Sequence, residues 1–192
     1  MNSTTAKLPN VVVLVRGINV GGKQIVSMTD LRRIATDAGL SEVQTLLQSG
    51  NLVGHCKKPS PSGLERSLQD AAKNHLDRSL EFFVRTTSQW GAIVADNPFP
   101  KEAKADPSHL LVAFLQDAIK EPTVAELRGK IPGREMIAGA GRELYIVYPD
   151  GIGRSKLTAA LIDKILSTRC TARNWNTILK LAALLEPNPS DL

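Results

Sequence analysis

The segment Arg16-Gly17-Ile18-Asn19-Val20-Gly21-Gly22-Lys23 sets two glycines and a lysine at the spacing of a phosphate-binding loop. Such a loop wraps backbone N–H groups around a phosphate and reaches the outer phosphates with its lysine. A Ser or Thr opening the next helix then holds Mg²⁺. Here Lys23 is followed by Gln24, which has no hydroxyl, and Ile25 and Val26 intervene before Ser27. No later apolar strand ends in an Asp that would complete the metal site. The segment is therefore not read as a nucleoside triphosphatase loop. It is either an anion-contact loop built on Arg16, Asn19, Gly21, Gly22 and Lys23, or a turn whose glycines only permit positive φ.

Three further segments carry polar residues in patterns suited to anions. "QSGN", residues 48–51, offers Ser49 and Asn51 in a turn-forming context. "DGIGRSKLT", 150–158, sets Arg154, Ser155 and Lys156 at a predicted helix start. Free N–H groups and the helix dipole favour anions there, and a plain N-cap role for Ser155 is the alternative. "TARNWNT", 171–177, opens another predicted helix with Arg173, Asn174 and Asn176 read as exposed. Trp175 falls on that helix's apolar stripe and is assigned to the core.

Charge points the same way. The chain carries a net +5, and residues 151–185 hold six cations against Asp163 alone, which equals that whole excess. A basic face meets anions, or it is a pair of solvated helices. Aromatic residues make up only 4% and no aromatic pair lies on a predicted strand, which argues against base stacking but not against backbone contact. No covalent mechanism stands out: neither His75 nor His109 sits in a Ser-His-Asp pattern, and no paired carboxylates suggest acid–base work. Cys56 and Cys170 form no Cys-x-x-Cys pair, so neither zinc nor a disulfide framework is implied. No metal and no cofactor is expected. No apolar run approaches the ~20 residues that span a bilayer, and the cytoplasm is the expected compartment. Catalytic residues and oligomeric state are not specified by the sequence.

The elements that must position these residues follow from hydrophobic period. Residues 11–15 are a continuous β-branched run, a strand buried on both faces. Ser27 and Asp30 form a capping-box-like start, with apolar residues at helical spacing up to Gly39. Short strands at 43–47 and 52–55 flank QSGN. A helix opens at Ser60-Pro61 and a fourth strand covers 80–85, giving the order β-α-β-β-α-β. The second half repeats that order: a strand at 109–115, a helix at 121–128, and two strands, "REMIA" and "ELYIVY", joined by "GAGR". A helix at about 155–166 and a last helix at about 173–185 follow, with the strand before the last helix short or missing. The expected fold class is α+β: two tandem ferredoxin-like (split βαβ) subdomains with antiparallel sheets, plus a C-terminal helix. The expected divisions are a disordered lead-in at 1–10, subdomains at 11–96 and 109–186, a linker at 97–108 and a tail at 187–192.

The motifs RGINVGG, QSGN, DNPF (96–99), DGIGRSKLT and TARNWNT together resemble domain-of-unknown-function family 1697. That resemblance implies a two-part fold of ferredoxin-like halves and no established activity. The combined expectation is a polar cleft between subdomains. Arg16, Lys23, Arg154, Lys156 and Arg173 would hold phosphate or carboxylate there, while Asn19, Ser49, Asn51, Asn174 and Asn176 orient it. The ligand would be a nucleotide, a phosphorylated metabolite or a nucleic-acid backbone. A transferase or hydrolase acting on a phosphorylated substrate, and an interaction module with no small ligand, are the alternatives.

Overall fold

The computed structural model describes residues 9–19 and 25–186. The chain divides into two compact units. The first runs to Ala92 and takes back the chain from Lys180; the second is Ile93–Leu179.

In the first unit, β1 (Val11–Val15) lies between β3 (Asn51–His55) and β4 (Phe82–Thr86), with β2 (Ser41–Leu46) beyond β3. The pairings are antiparallel: Val13 stands opposite Leu52 and Val84, and Val12 opposite Val53 and Arg85. Alternate residues of a strand point to opposite faces. Val11, Val13 and Val15 join one core cluster with Leu31, Ile34 and Ala35 of α1 (Met28–Asp37) and with Leu64, Leu68 and Ala72 of α2 (Pro61–Leu76). Val12 and Leu14 point the other way, beside Val53, Phe83 and Arg85, and are equally buried. Burial on both faces is why β1 reads as an uninterrupted apolar run.

The ends of α1 follow the sequence. Ser27 caps it, accepting the Asp30 N–H at 3.0 Å and donating its hydroxyl to Asp30 Oδ2 at 2.7 Å. Gly39, at φ +98°, carries the chain out of the helix. The edge strand β4 is covered from α2, where buried Glu65 accepts the Val84 N–H at 2.9 Å. A satisfied edge N–H offers no template to another strand. A nine-residue helix, α3 (Thr87–Ala95), follows β4, and Pro100–Ala105 forms α4.

The second unit repeats the plan. β5 (Leu110–Ile119) lies between β6 (Met136–Val147) and β7 (Cys170–Asn174), again antiparallel, with Val112 opposite Tyr145 and Arg173. α5 (Glu121–Gly129) and α6 (Ala159–Leu166) cover one face through Val124, Leu127, Ile162 and Leu166. The extended run β6 folds back on itself. A Cβ on Gly139 would sit 2.8 Å from the Glu143 carbonyl oxygen, whereas four residues of straight strand span about 13 Å. The two arms are the REMIA and ELYIVY strands, turning through Gly141 at φ +63°. Each unit thus has four antiparallel strands in the order expected of a ferredoxin-like half, and α7 (Trp175–Ala183) is the C-terminal helix.

Three expected boundaries move. The strand before the last helix is present as β7. α7 starts at Trp175, so Arg173 and Asn174 lie on a strand rather than at the start of a helix. α6 starts at Ala159, so Ser155 does not open a helix. Ser155 and Thr158 have extended backbone, and Leu157 between them is buried in the core with Ile162 and Leu166. Among the described residues no helix is long and apolar enough to cross a membrane.

Candidate functional site

The sequence motifs divide by unit. In the first unit, Asn19 at φ +56° is a brace between loops. Its side-chain amide donates to Val26 O at 2.9 Å and to Gln48 O at 2.8 Å, and its Oδ1 accepts the Val26 N–H at 2.9 Å. Both amide protons are thereby engaged. Asn51, fully buried, donates to Leu46 O at 2.9 Å and to Ser49 Oγ at 3.0 Å, closing the β2–β3 turn. Ser49 itself is exposed. Arg16 Nε lies 3.4 Å from Glu81 Oε2, and its backbone N–H donates to Glu81 O at 3.0 Å. Gly21, Gly22 and Lys23 lie outside the described residues.

A second feature of this unit was not anticipated. Asp37, Ser67, Asp70, Asn74 and His75 line a cleft of about 380 Å³ along α1 and α2. His75 Nε2 lies 3.2 Å from Asp30 Oδ1. The Ser27 hydroxyl bond, with His75 adding to it, holds the Asp30 carboxyl below its ordinary value. The cleft is acidic, which opposes an anion, and among the described residues no group of three or more His, Cys, Asp or Glu is placed to hold a metal ion.

In the second unit the structure brings together part of the expected set. Arg154, Ser155 and Lys156 line a cleft of about 210 Å³ with Glu135, Tyr148 and Gly151. A short helical turn, Ile152–Arg154, follows Gly151 at φ +83° and leaves Arg154 and Lys156 exposed. Ser155 points inward: its hydroxyl donates to Glu135 Oε1, and its oxygen accepts the Leu157 N–H at 2.9 Å. Capping of α6 falls to Thr158, which accepts the Leu161 N–H at 3.2 Å. The carboxyl of Glu135 is cradled by Gly133, where a Cβ would stand 2.2 Å from Oε2. That oxygen is buried and has no hydrogen-bond partner among the described residues, a cost on the order of 1–3 kcal/mol.

The rim is tied down beside this pair. Arg134 Nε donates to Asp150 Oδ2 at 3.1 Å and its Nη2 donates to Oδ1. That bond, ahead of the nearby Arg134 and Arg154 charges, keeps the Asp150 carboxyl below its ordinary value. Tyr148 donates to Leu157 O at 3.1 Å. Burial, reinforced by the Glu135 charge, raises its phenol far above the ordinary value, so it stays neutral. The cleft therefore has two exposed cations on its rim and a Ser–carboxylate pair within it.

The remaining expected residues lie elsewhere in this unit. Arg173 is buried in β7, not exposed as the sequence suggested. Its Nη1 donates to Thr171 Oγ1 and to Ala172 O, both at 2.8 Å, and burial lowers its guanidinium to about 10. Asn174 Oδ1 accepts the Thr177 N–H at 3.0 Å and the Thr177 hydroxyl at 2.8 Å, so it caps α7. Asn176 is exposed on α7, and Trp175 is buried as expected. Glu135, Gly133 and Tyr148 were missed because nothing in "PGREM" or "VYPDG" marks a contact made 20 residues along the chain.

Comparison with known proteins gives a fold and a family. The chain is similar to the conserved bacterial protein SP0830 from Streptococcus pneumoniae, at 22% identity and a TM-score of 0.72, over 94% of this chain and 100% of that one. At that identity the likeness concerns the fold. Among curated proteins none matches the sequence. Residues 8–145 match the family described as "Protein of unknown function (DUF1697)". The match covers well over half of the sequence, and the chain belongs to the DUF1697 family.

Proposed function

We propose that this chain binds a small anionic ligand, a phosphorylated metabolite or the phosphate end of a nucleotide, at the Gly151–Lys156 turn of the second unit. One observation carries the reading: Arg154 and Lys156 are both exposed and line one cleft. Asp150, which also lines the cleft and feels the Arg154 charge, is hydrogen-bonded by Arg134. A guanidinium and an ammonium flanking a cleft suit a phosphate, the first by paired N–H donors and the second as a point charge. A volume of about 210 Å³ is below the roughly 300–1,000 Å³ of pockets that enclose drug-sized ligands. It suits one phosphate and a few attached atoms better than a polymer. The cytoplasm is the compartment we assign, a reading supported by two cysteines that form no disulfide.

The test is calorimetric titration with inorganic phosphate, phosphate monoesters and nucleotides at low and physiological salt. Replacing both Arg154 and Lys156 by Ala is expected to weaken binding about tenfold or more, equivalent to ~1.4 kcal/mol. Unchanged affinity in the double variant, or no binding by any of these anions, overturns the proposal.

A further inference from the structure

We infer that the ligand of this cleft carries hydroxyl groups beside its anionic group, as a polyol or sugar phosphate does, and is not a bare anion. The inference rests on the anion-binding reading above and concerns what the inner part of the same cleft requires.

The argument is an inventory of protons. A serine hydroxyl has one proton to donate. Ser155 gives it to Glu135 Oε1, and the Ser155 oxygen already accepts the Leu157 N–H. An ionised carboxylate has none to give. Both side chains line the cleft, so both meet an incoming molecule as acceptors. Glu135 Oε2 is closed off against Gly133 and has no donor among the described residues, so the accepting oxygen the carboxylate presents is Oε1. An oxyanion that filled the cleft would set oxygen against oxygen there. The donors for an anion are on the rim, at Arg154 and Lys156. The geometry thus sorts a ligand end to end: anionic group outward at the two cations, donor-bearing group inward at Ser155 and Glu135.

The inward donor is assigned as hydroxyl rather than ammonium because Arg154 and Lys156 line the same cleft and repel a further cation. A neutral O–H donor meets the inner acceptors without that repulsion. The cradle agrees with a dedicated acceptor. Only a residue without Cβ at position 133 lets the carboxyl lie where it does, since a Cβ would be 2.2 Å from one of its oxygens and 3.0 Å from the other.

The experiment compares three monoesters of similar size by calorimetry and by shifts of the Gly151 and Gly153 amide resonances: glycerol 1-phosphate, propyl phosphate and phosphoethanolamine. We expect glycerol 1-phosphate to bind at least tenfold more tightly than propyl phosphate. In Glu135→Gln that preference should fall below threefold, with propyl phosphate bound as well as before or better. Equal binding of glycerol and propyl phosphates by the unmodified protein defeats this inference while leaving the anion-binding reading intact. So does a preference that survives Glu135→Gln, and a preference for phosphoethanolamine over glycerol 1-phosphate rejects the hydroxyl assignment. If no ester binds, the anion-binding reading fails and this inference fails with it. The comparison within the unmodified protein decides the matter even if a variant does not fold.

Discussion

Replacing Gly50 by Ala tests whether the conspicuous QSGN motif is architecture. Gly50 sits at φ +75°, and a Cβ there would lie 2.8 Å from both Ile18 Cδ1 and Val15 Cβ. Ile18 and Val15 are each 1% exposed, so neither has room to retreat. The Gly50 carbonyl also accepts the Val15 N–H at 2.8 Å, which holds the backbone in place. The left-handed conformation costs an L-residue roughly 1–2 kcal/mol. Forcing a methyl into a packed core adds about 1–3 kcal/mol, while the stiffer unfolded chain returns about 0.4–1 kcal/mol. The expected loss is about 2–4 kcal/mol. Gly39 is the control: its φ is +98°, but nothing lies within 4 Å of its added Cβ. Gly39→Ala should therefore show the conformational part alone, under ~2 kcal/mol. Urea denaturation followed by Trp90 fluorescence, in a Trp175→Phe background, reports the unit that holds both glycines. Equal losses at the two positions, within about 0.5 kcal/mol, would refute the packing argument.

Asn19→Ala should cost about 2–3 kcal/mol from three lost bonds. Asn19→Gly, which tolerates φ +56°, should recover only the backbone part, and paired urea melts separate the two. Glu65→Ala leaves the buried Val84 N–H without its carboxylate acceptor and should cost about 1–3 kcal/mol, whereas Glu65→Gln keeps a carbonyl oxygen and should cost under ~1; a loss of equal size in both would place the effect in charge instead. The Asp30 carboxyl is held below its ordinary value in the folded state. It therefore contributes stability at pH above the unfolded value of about 3.9, and that contribution disappears as pH falls through the folded value. Denaturation midpoints measured from pH 6 to pH 2 should fall more steeply in the wild type than in Asp30→Asn, and parallel curves would contradict this.

The architecture was legible in the sequence because it depends on period. Five buried residues in β1, the Ser27 cap and the apolar stripes of α1 and α2 all announce themselves locally. The boundaries that moved were those decided by tertiary burial. Arg173 reads as a solvent cation, yet its place opposite Val112 in β7 takes it into the interior, where Thr171 and Ala172 receive its donors. Ser155 has every local mark of an N-cap, but Leu157 turns into the core after it and capping falls to Thr158. Asn19 and Asn51, read from the sequence as ligand-orienting residues, each carry a bracing bond network. The partner that gives Ser155 its character, Glu135, is a single acid in an unremarkable loop. Its position emerges only when the β6 hairpin folds.

The return of the chain from Lys180 to the first unit has a consequence for how the molecule is made. The second unit is one continuous stretch, Ile93–Leu179, while the first is discontinuous, with its last segment separated from its first strand by the whole of the other unit. As the polypeptide emerges during synthesis, residues up to Ala92 must wait for roughly half the chain before their final neighbours arrive. The intervening unit has all its own contacts by then. Closure of the first unit thus follows synthesis of the second, although β1 is made before any of the second unit. A chain interrupted before Lys180 would cut α7 within its length and leave the first unit without its returning segment.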